Sequence, residues 1–343
     1  MADSAENDKR KPSRNRVMSV GQSQAEMFTS GMQSLPPADA AAIEFRSKLI
    51  RYPTFMKAMQ AIERCHLYGR HLVEEPDCLL ITGVSGAGKS TLRKSYEAKY
   101  PREELEDRTV IRVVEIELPS GPTIKNVAER ILTKLGDPYG DRGSAESKTA
   151  RIVTLFRECR VEIAILDEFQ QFIDNSGGKI EYKVADWLKQ LINATRVPFV
   201  LLGLPHCKRI LEVNEQLRRR FLPQATLPPF SIKTKMEAIK FADFLNTLSS
   251  QAPFKKASAF IEPAVIPLMF YATHGLIDYL MKLTGGAIRI ALEEGRDRID
   301  LDVLRMAFES EIWSATDRER NPFDSAFIPR LLNKTGEPFS GYS

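Results

Sequence analysis

The stretch Leu79–Tyr96, LLITGVSGAGKSTLRKSY, constrains the fold of this chain more than any other. It starts as a short apolar run, crosses three glycines and a Lys-Ser pair, and continues as a helical pattern that stops before Pro101. A short continuous apolar run reads as a strand buried on both faces. The glycines after it let backbone N–H groups turn inward, and the helix that follows adds its positive end. The product is a cradle for a polyphosphate, placed between a buried strand and a helix.

The same alternation continues along the chain. VIRVVEIEL (Val110 to Leu118), VEIAILDE (Val161 to Glu168) and VPFVLLG (Val197 to Gly203) read as further strands. Between them IKNVAERILTKLG, a helix through Phe156, a helix over about Ile180 to Ala194, and KRILEVNEQLRRRF read as helices. Strands alternating with helices imply a parallel sheet covered on both faces. Beyond Ser231 the strand signals fade and four helical patterns follow. The expected class is α/β, a P-loop nucleotide-hydrolase core with a parallel sheet and a C-terminal all-helical lid. The expected units are a disordered arm over 1–40, the core over 41–230, the lid over 231–316 and a tail over 317–343.

In the arm, KRKPSRNR groups Lys9, Arg10, Lys11, Arg14 and Arg16 with no acid between them, which suits either a solvating tail or a nucleic-acid-binding arm. The tail is either a docking peptide or a frayed end. A net charge of +4 permits a polyanion partner without demanding one. The four cysteines show no close C-x-x-C pair, and Cys78 and Cys159 fall in or beside apolar runs, as small core residues do. No apolar window approaches a membrane span, so no membrane partner and a reduced cytoplasmic setting are expected.

GVSGAGKS is the pattern G-x-x-x-x-G-K-[ST], in the confirming context of a strand before and a helix after. Gly83, Val84, Ser85, Gly86, Ala87, Gly88, Lys89, Ser90 and Thr91 are the expected nucleotide-binding residues. Lys89 reaches the β- and γ-phosphates of ATP, and the Ser90 hydroxyl ligates Mg²⁺. VEIAILDE supplies the second half of such a site, an apolar strand ending in acids. Asp167 is expected to hold Mg²⁺ through water, and Glu168 to orient and deprotonate the attacking water. Adjacent residues of a strand point to opposite sides, so the two acids can divide these tasks. The run Arg218-Arg219-Arg220 ends a helix before Phe221. Phosphoryl transfer is accelerated by an arginine delivered to the γ-phosphate, often from a neighbouring subunit, and Arg220, with Arg219 next, is the expected donor.

Taken together, the glycine loop, ILDEFQQF, VPFVLLGLP, the QLRRRF arginines and the helical lid resemble the AAA+ ATPases. With RYPTFMKAMQAIERC before the loop and GLIDYLMKL in the lid, the chain is more closely similar to the TniB and TnsC group, over roughly Arg51 to Ala307. The resemblance implies a bacterial ATPase that oligomerises on duplex DNA with ATP, as a ring or filament. It also implies recruitment of a DDE transposase and a target-selecting partner of the TniQ type, with hydrolysis disassembling the oligomer. Two places depart from the family pattern. Gly203-Leu204-Pro205 stands where a polar residue usually follows the fourth strand, with His206 a possible substitute. Leu276, Ile277 and Asp278 follow Gly275 where a lid arginine is usual. Hydrolysis is therefore expected to be slow or to wait for a partner.

Loops after the second strand line the channel in ring-forming relatives. PSGPTIKN sits there, offering Thr123, Lys125 and Asn126 to DNA, with Lys148 and Arg151 on the next helix. For each residue alone an ordinary solvated helix start competes with that reading. Two other functions fit the same motifs: a helicase loader or replication initiator of the DnaC or IstB type, and a nucleotide-gated scaffold.

Overall fold

A computed structural model describes residues 35–71, 75–174 and 179–342. The basic cluster of the expected arm lies outside the described residues, and helix begins at Pro37 rather than after residue 40. Two helices, α1 (Pro37–Ser47) and α2 (Pro53–His71), precede β1 (Leu79–Gly83) and α3 (Lys89–Glu97). A small hairpin of β2 (Glu103–Glu104) and β3 (Thr109–Val110) leads to β4 (Val113–Glu117), α4 (Ile124–Leu135) and α5 (Ala145–Glu158). Then come β5 (Ile163–Asp167), α6 (Gln171–Asp174), α7 (Lys179–Thr195) and β6 (Phe199–Gly203). Short helices α8 (Arg209–Glu212) and α9 (Glu215–Arg220) precede β7 (Gln224–Leu227).

The main sheet has five parallel strands in the order β4-β5-β6-β1-β7. Its strands bury alternate residues on opposite faces. Leu79 and Ile81, Ile163 and Ile165, and Val200 and Leu202 belong to one apolar core; Leu80, Ala164, Leu166, Phe199 and Leu201 belong to the other. Both faces are covered, as the continuous apolar runs require. Every strand of the sheet ends on the same side, so the glycine loop after β1 and the acids at the end of β5 share one edge.

Three expectations are corrected. The run Val110 to Leu118 is not one strand: Ile111 turns its N–H to Cys159 O (2.8 Å), and only Val113–Glu117 joins the sheet. KRILEVNEQLRRRF is not one helix, because Asn214 sits in extended backbone and caps α9, its Oδ1 accepting from Leu217 N at 3.0 Å. A fifth strand, β7, lies parallel to β1 and is absent from the sequence reading.

After β7 the chain forms α10 (Lys235–Gln251), α11 (Ile266–Thr273), α12 (Ile277–Glu293) and α13 (Leu301–Glu311). Phe241 and Leu245 of α10, Leu280 of α12 and Phe308 of α13 join the core that also holds Ile81, Leu92 and the buried side of α2. Phe323, Leu332 and Phe339 of the tail are buried there too, so its described part is packed rather than frayed. All four cysteines are free and buried. Among the described residues no helix is long and apolar enough to cross a membrane.

A buried polar joint ties the elements around β1. His66 of α2 meets Tyr96 Oη of α3 through Nδ1 at 2.8 Å and Glu162, just before β5, through Nε2 at 2.9 Å. Burial lowers the pKa of His66, against the pull of Glu162 upward. Tyr96→Phe leaves that joint short of one partner and is expected to destabilise the fold by about 1–3 kcal/mol, read from urea unfolding midpoints.

Candidate functional site

The loop between β1 and α3 is built by its glycines. Gly86 (φ 72°) and Gly88 (φ 91°) lie in the left-handed region, where a side chain would be strained, and this curls the backbone before Lys89 opens α3. Lys89 is buried and folds back over the loop, its Nζ donating to Gly83 O at 2.9 Å and Val84 O at 3.0 Å. Burial lowers its pKa, while the nearby Glu168 and Asp167 carboxylates oppose that shift. Ala87 is buried inside the turn, and Thr91 is exposed on the outer side of α3.

The acids of β5 reach this loop. Asp167 has no exposed surface, and its Oδ2 accepts from Ser90 Oγ at 3.0 Å. Its Oδ1 accepts from the N–H of Glu168 at 2.8 Å. Glu168 has φ 59°, which turns the chain away from the strand as soon as the second acid is reached, and its carboxylate accepts from Gln170 Nε2. Ser90 and Asp167 therefore place two hard oxygen donors side by side under the loop. Magnesium keeps most of its waters and takes one or two protein oxygens, so this pair fits that ion. Among the described residues no group of three or more His, Cys, Asp or Glu is placed to hold a metal.

Arg93, missed by the sequence reading, holds the acids in place. It is buried, with Nε 3.2 Å from Asp167 Oδ2, Nη2 3.1 Å from Glu117 Oε2, and Nη1 paired with Glu115. The available signal was its position one helical turn beyond Lys89, which puts both on one face of α3.

Beside the loop lie two cavities. One, of about 660 Å³, is lined by Tyr52, Phe230, Phe244, Phe270, His274 and Tyr342, among others. The other, of about 490 Å³, is lined by Val84, Ser85, Leu204, His206, His274 and Tyr342, among others. Pro229, His274 and Tyr342 line both. Tyr52 leans on the loop: a Cβ at Gly88 would stand 3.9 Å from its hydroxyl, which is buried without a hydrogen-bond partner. From the tail, Tyr342 Oη donates to Ser85 O at 3.4 Å. The start of α12 also touches the loop, with Asp278 N donating to Gly86 O at 3.2 Å. Asp278 pairs with Lys282 at 2.7 Å, and His206 with Asp174 at 2.7 Å.

The arginine run is arranged differently from expectation. Arg220 is buried, ion-paired with Glu75 at 3.0 Å, and its carbonyl accepts from Cys78 N at 2.8 Å. It thus supports the beginning of β1, the far end of that strand from the glycine loop, and does not project. Arg218 and Arg219 are exposed on α9, and Arg219 carries only a surface pair with Glu215. Of the residues offered to DNA, Lys148 is corrected outright. It is fully buried, its Nζ held by Glu129 at 2.8 Å and Gly140 O at 2.6 Å. Thr123 and Asn126 cap α4 reciprocally, at 3.2 and 2.8 Å, and Arg151 is engaged with Asp137 and Arg142 O. Lys125 is exposed.

A glycine loop gripping its own lysine, a serine against a strand-end aspartate, and the strand order described define a P-loop protein of the AAA+ fold. Solved structures with that fold match the chain. Cdc6p from Pyrobaculum aerophilum aligns at a TM-score of 0.57 and 16% identity, covering 80% of this chain and 72% of that one. The Aeropyrum pernix ORC2 protein in its ADP form aligns at 0.54 and 16%, covering 80% and 73%. The Aeropyrum pernix ORC1 protein in complex with DNA aligns at 0.53 and 18%, covering 80% and 70%. Within that fold, the chain belongs to the family described as bacterial TniB protein, whose profile matches residues 42–232. No curated protein matches its sequence.

Removing Arg93 leaves the fully buried Asp167 without its cation, while Glu115 keeps Lys134 at 3.0 Å. Arg93→Ala is expected to cost about 3–5 kcal/mol in chemical unfolding, with Arg93→Lys intermediate.

Proposed function

We propose that this protein is an ATP-dependent regulator of DNA transposition. It binds ATP with Mg²⁺, assembles on duplex DNA, engages a DDE transposase and a target-selecting partner, and disassembles when ATP is hydrolysed. The observation that carries the ATP part is the convergence of Ser90 on Asp167 beneath the glycine loop, 3.0 Å apart with Lys89 beside them. Membership of the TniB family supports transposition as the process served.

The residues divide the work. Backbone N–H groups of the glycine loop, other than that of Ala87, which donates to Val84 O at 3.3 Å, bind phosphate oxygens, and Lys89 exchanges its two loop carbonyls for the β- and γ-phosphates. Ser90 and Asp167 hold Mg²⁺, which when bound neutralises charge developing on the phosphates. Glu168 orients a water and takes its proton. The aromatic-lined cavity around Tyr52, His274 and Tyr342 takes the base, its volume lying in the usual range for small-molecule pockets. Arg219, exposed at the end of α9, completes a neighbouring subunit's site, the role first expected of Arg220. Lys125 is the remaining channel contact of the PSGPTIKN loop.

Sedimentation with duplex DNA tests this reading. Assembly is expected with a non-hydrolysable ATP analogue and not with ADP; a protein that stays monomeric with the analogue and DNA contradicts it. Arg219→Ala is expected to lower hydrolysis by at least ~10³-fold while the monomer still binds nucleotide. Arg220→Ala is expected to show itself in unfolding experiments instead, since it strips Glu75 and the start of β1 of their partner.

A further inference from the structure

Gln170 is a buried polar side chain at this site that the phosphate loop and the paired acids leave without a role. After Asp167 the chain crosses to the end of β6, where Phe169 N donates to Leu202 O at 2.9 Å. The Gln170 side chain follows the same path, and its Oε1 accepts from Leu204 N at 3.1 Å. That bond sets the direction of the carboxamide. With its oxygen facing an N–H donor, its NH₂ end turns to Glu168, and Nε2 donates to Glu168 Oε2.

Gly203 explains why this amide fits. A Cβ there would stand 2.9 Å from Gln170 Oε1 and 2.9 Å from Cys207 Sγ. A side chain at the end of β6 and the Gln170 amide exclude one another. The missing polar residue after the fourth core strand and the presence of Gln170 are thus one arrangement: the polar group arrives from the β5 side.

We propose that Gln170 is the positioning residue for Glu168, holding one carboxylate oxygen so that the other faces the water to be activated. The proposal rests on the reading of Glu168 as the base for ATP hydrolysis. The need for such a holder is physical. The Glu168 side chain has three rotatable bonds, and its own N–H is committed to Asp167. A donated hydrogen bond removes much of the carboxylate's freedom, which is what a positioned base requires. The charged groups beside Glu168 are Lys89 from α3 and Asp167 from β5.

Steady-state ATP hydrolysis by the full chain with duplex DNA, with kcat and KM measured separately, tests this with three variants. Gln170→Glu keeps an acceptor for Leu204 N and, when ionised, has no hydrogen to give Glu168. Its kcat is expected to fall by at least ~10-fold, out of the roughly 10²–10⁴-fold that a positioned base contributes, with KM changed little. Gln170→Met, which makes neither bond, covers the case in which the second carboxylate prevents folding, and the same fall in kcat is expected. Glu168→Gln separates the two levels. If it hydrolyses like the natural protein, the reading of Glu168 fails and the proposal with it. If it is inactive while a folded Gln170 variant keeps its kcat, Gln170 is only a structural joint and the proposal alone is overturned.

Discussion

The site depends on a carboxylate with no access to water. Asp167 ends a central strand with no exposed surface, and an isolated charge in that position costs several kcal/mol. Its compensation comes from three directions: the Arg93 guanidinium at 3.2 Å, the Ser90 hydroxyl at 3.0 Å and the Glu168 N–H at 2.8 Å. Two of these partners lie on α3, so the charge of Asp167 also fastens the helix that follows the glycine loop. Loop and acids form one electrostatic unit across β1 and β5.

That unit is continuous with the rest of the molecule through packing. The core on one face of the sheet includes α2, α3, the helices after β7 and the buried residues of the tail. Three further contacts land on the loop from remote parts of the chain: Tyr52 from before α2, Asp278 from α12 and Tyr342 from the tail. Well-packed interiors transmit small displacements because they have little free volume. The loop is thus in direct contact with the lid helices and the tail.

Much of this was legible in the sequence because burial on both faces writes continuous apolar runs. LLIT, IAIL and FVLL show β1, β5 and β6 directly, and the glycine spacing shows the loop. β7 was missed because QATL at a sheet edge, with Gln224 exposed and Leu227 buried, carries no such run. Asn214 divided a stretch whose apolar pattern alone looked like one helix. Arg93, Gln170 and Tyr52 were missed for a shared reason: each acts on residues distant in sequence or in another element, and residue type alone does not name the partner. Lys148 erred in the opposite direction, since a lysine at a helix start reads as solvated until Glu129 and Gly140 O enclose it. Arg220 likewise reads as part of an exposed run, yet the end of α9 turns it inward toward Glu75.

The central claim is that Ser90 and Asp167 hold a magnesium ion against a triphosphate in the glycine loop. Calorimetric titration of the purified protein with ATP, with and without Mg²⁺, addresses it most directly. Binding should be tight with the ion, much weaker without it, and insensitive to it in Asp167→Asn. Equal affinity with and without magnesium in the natural protein, or a full magnesium response in Asp167→Asn, would contradict the account.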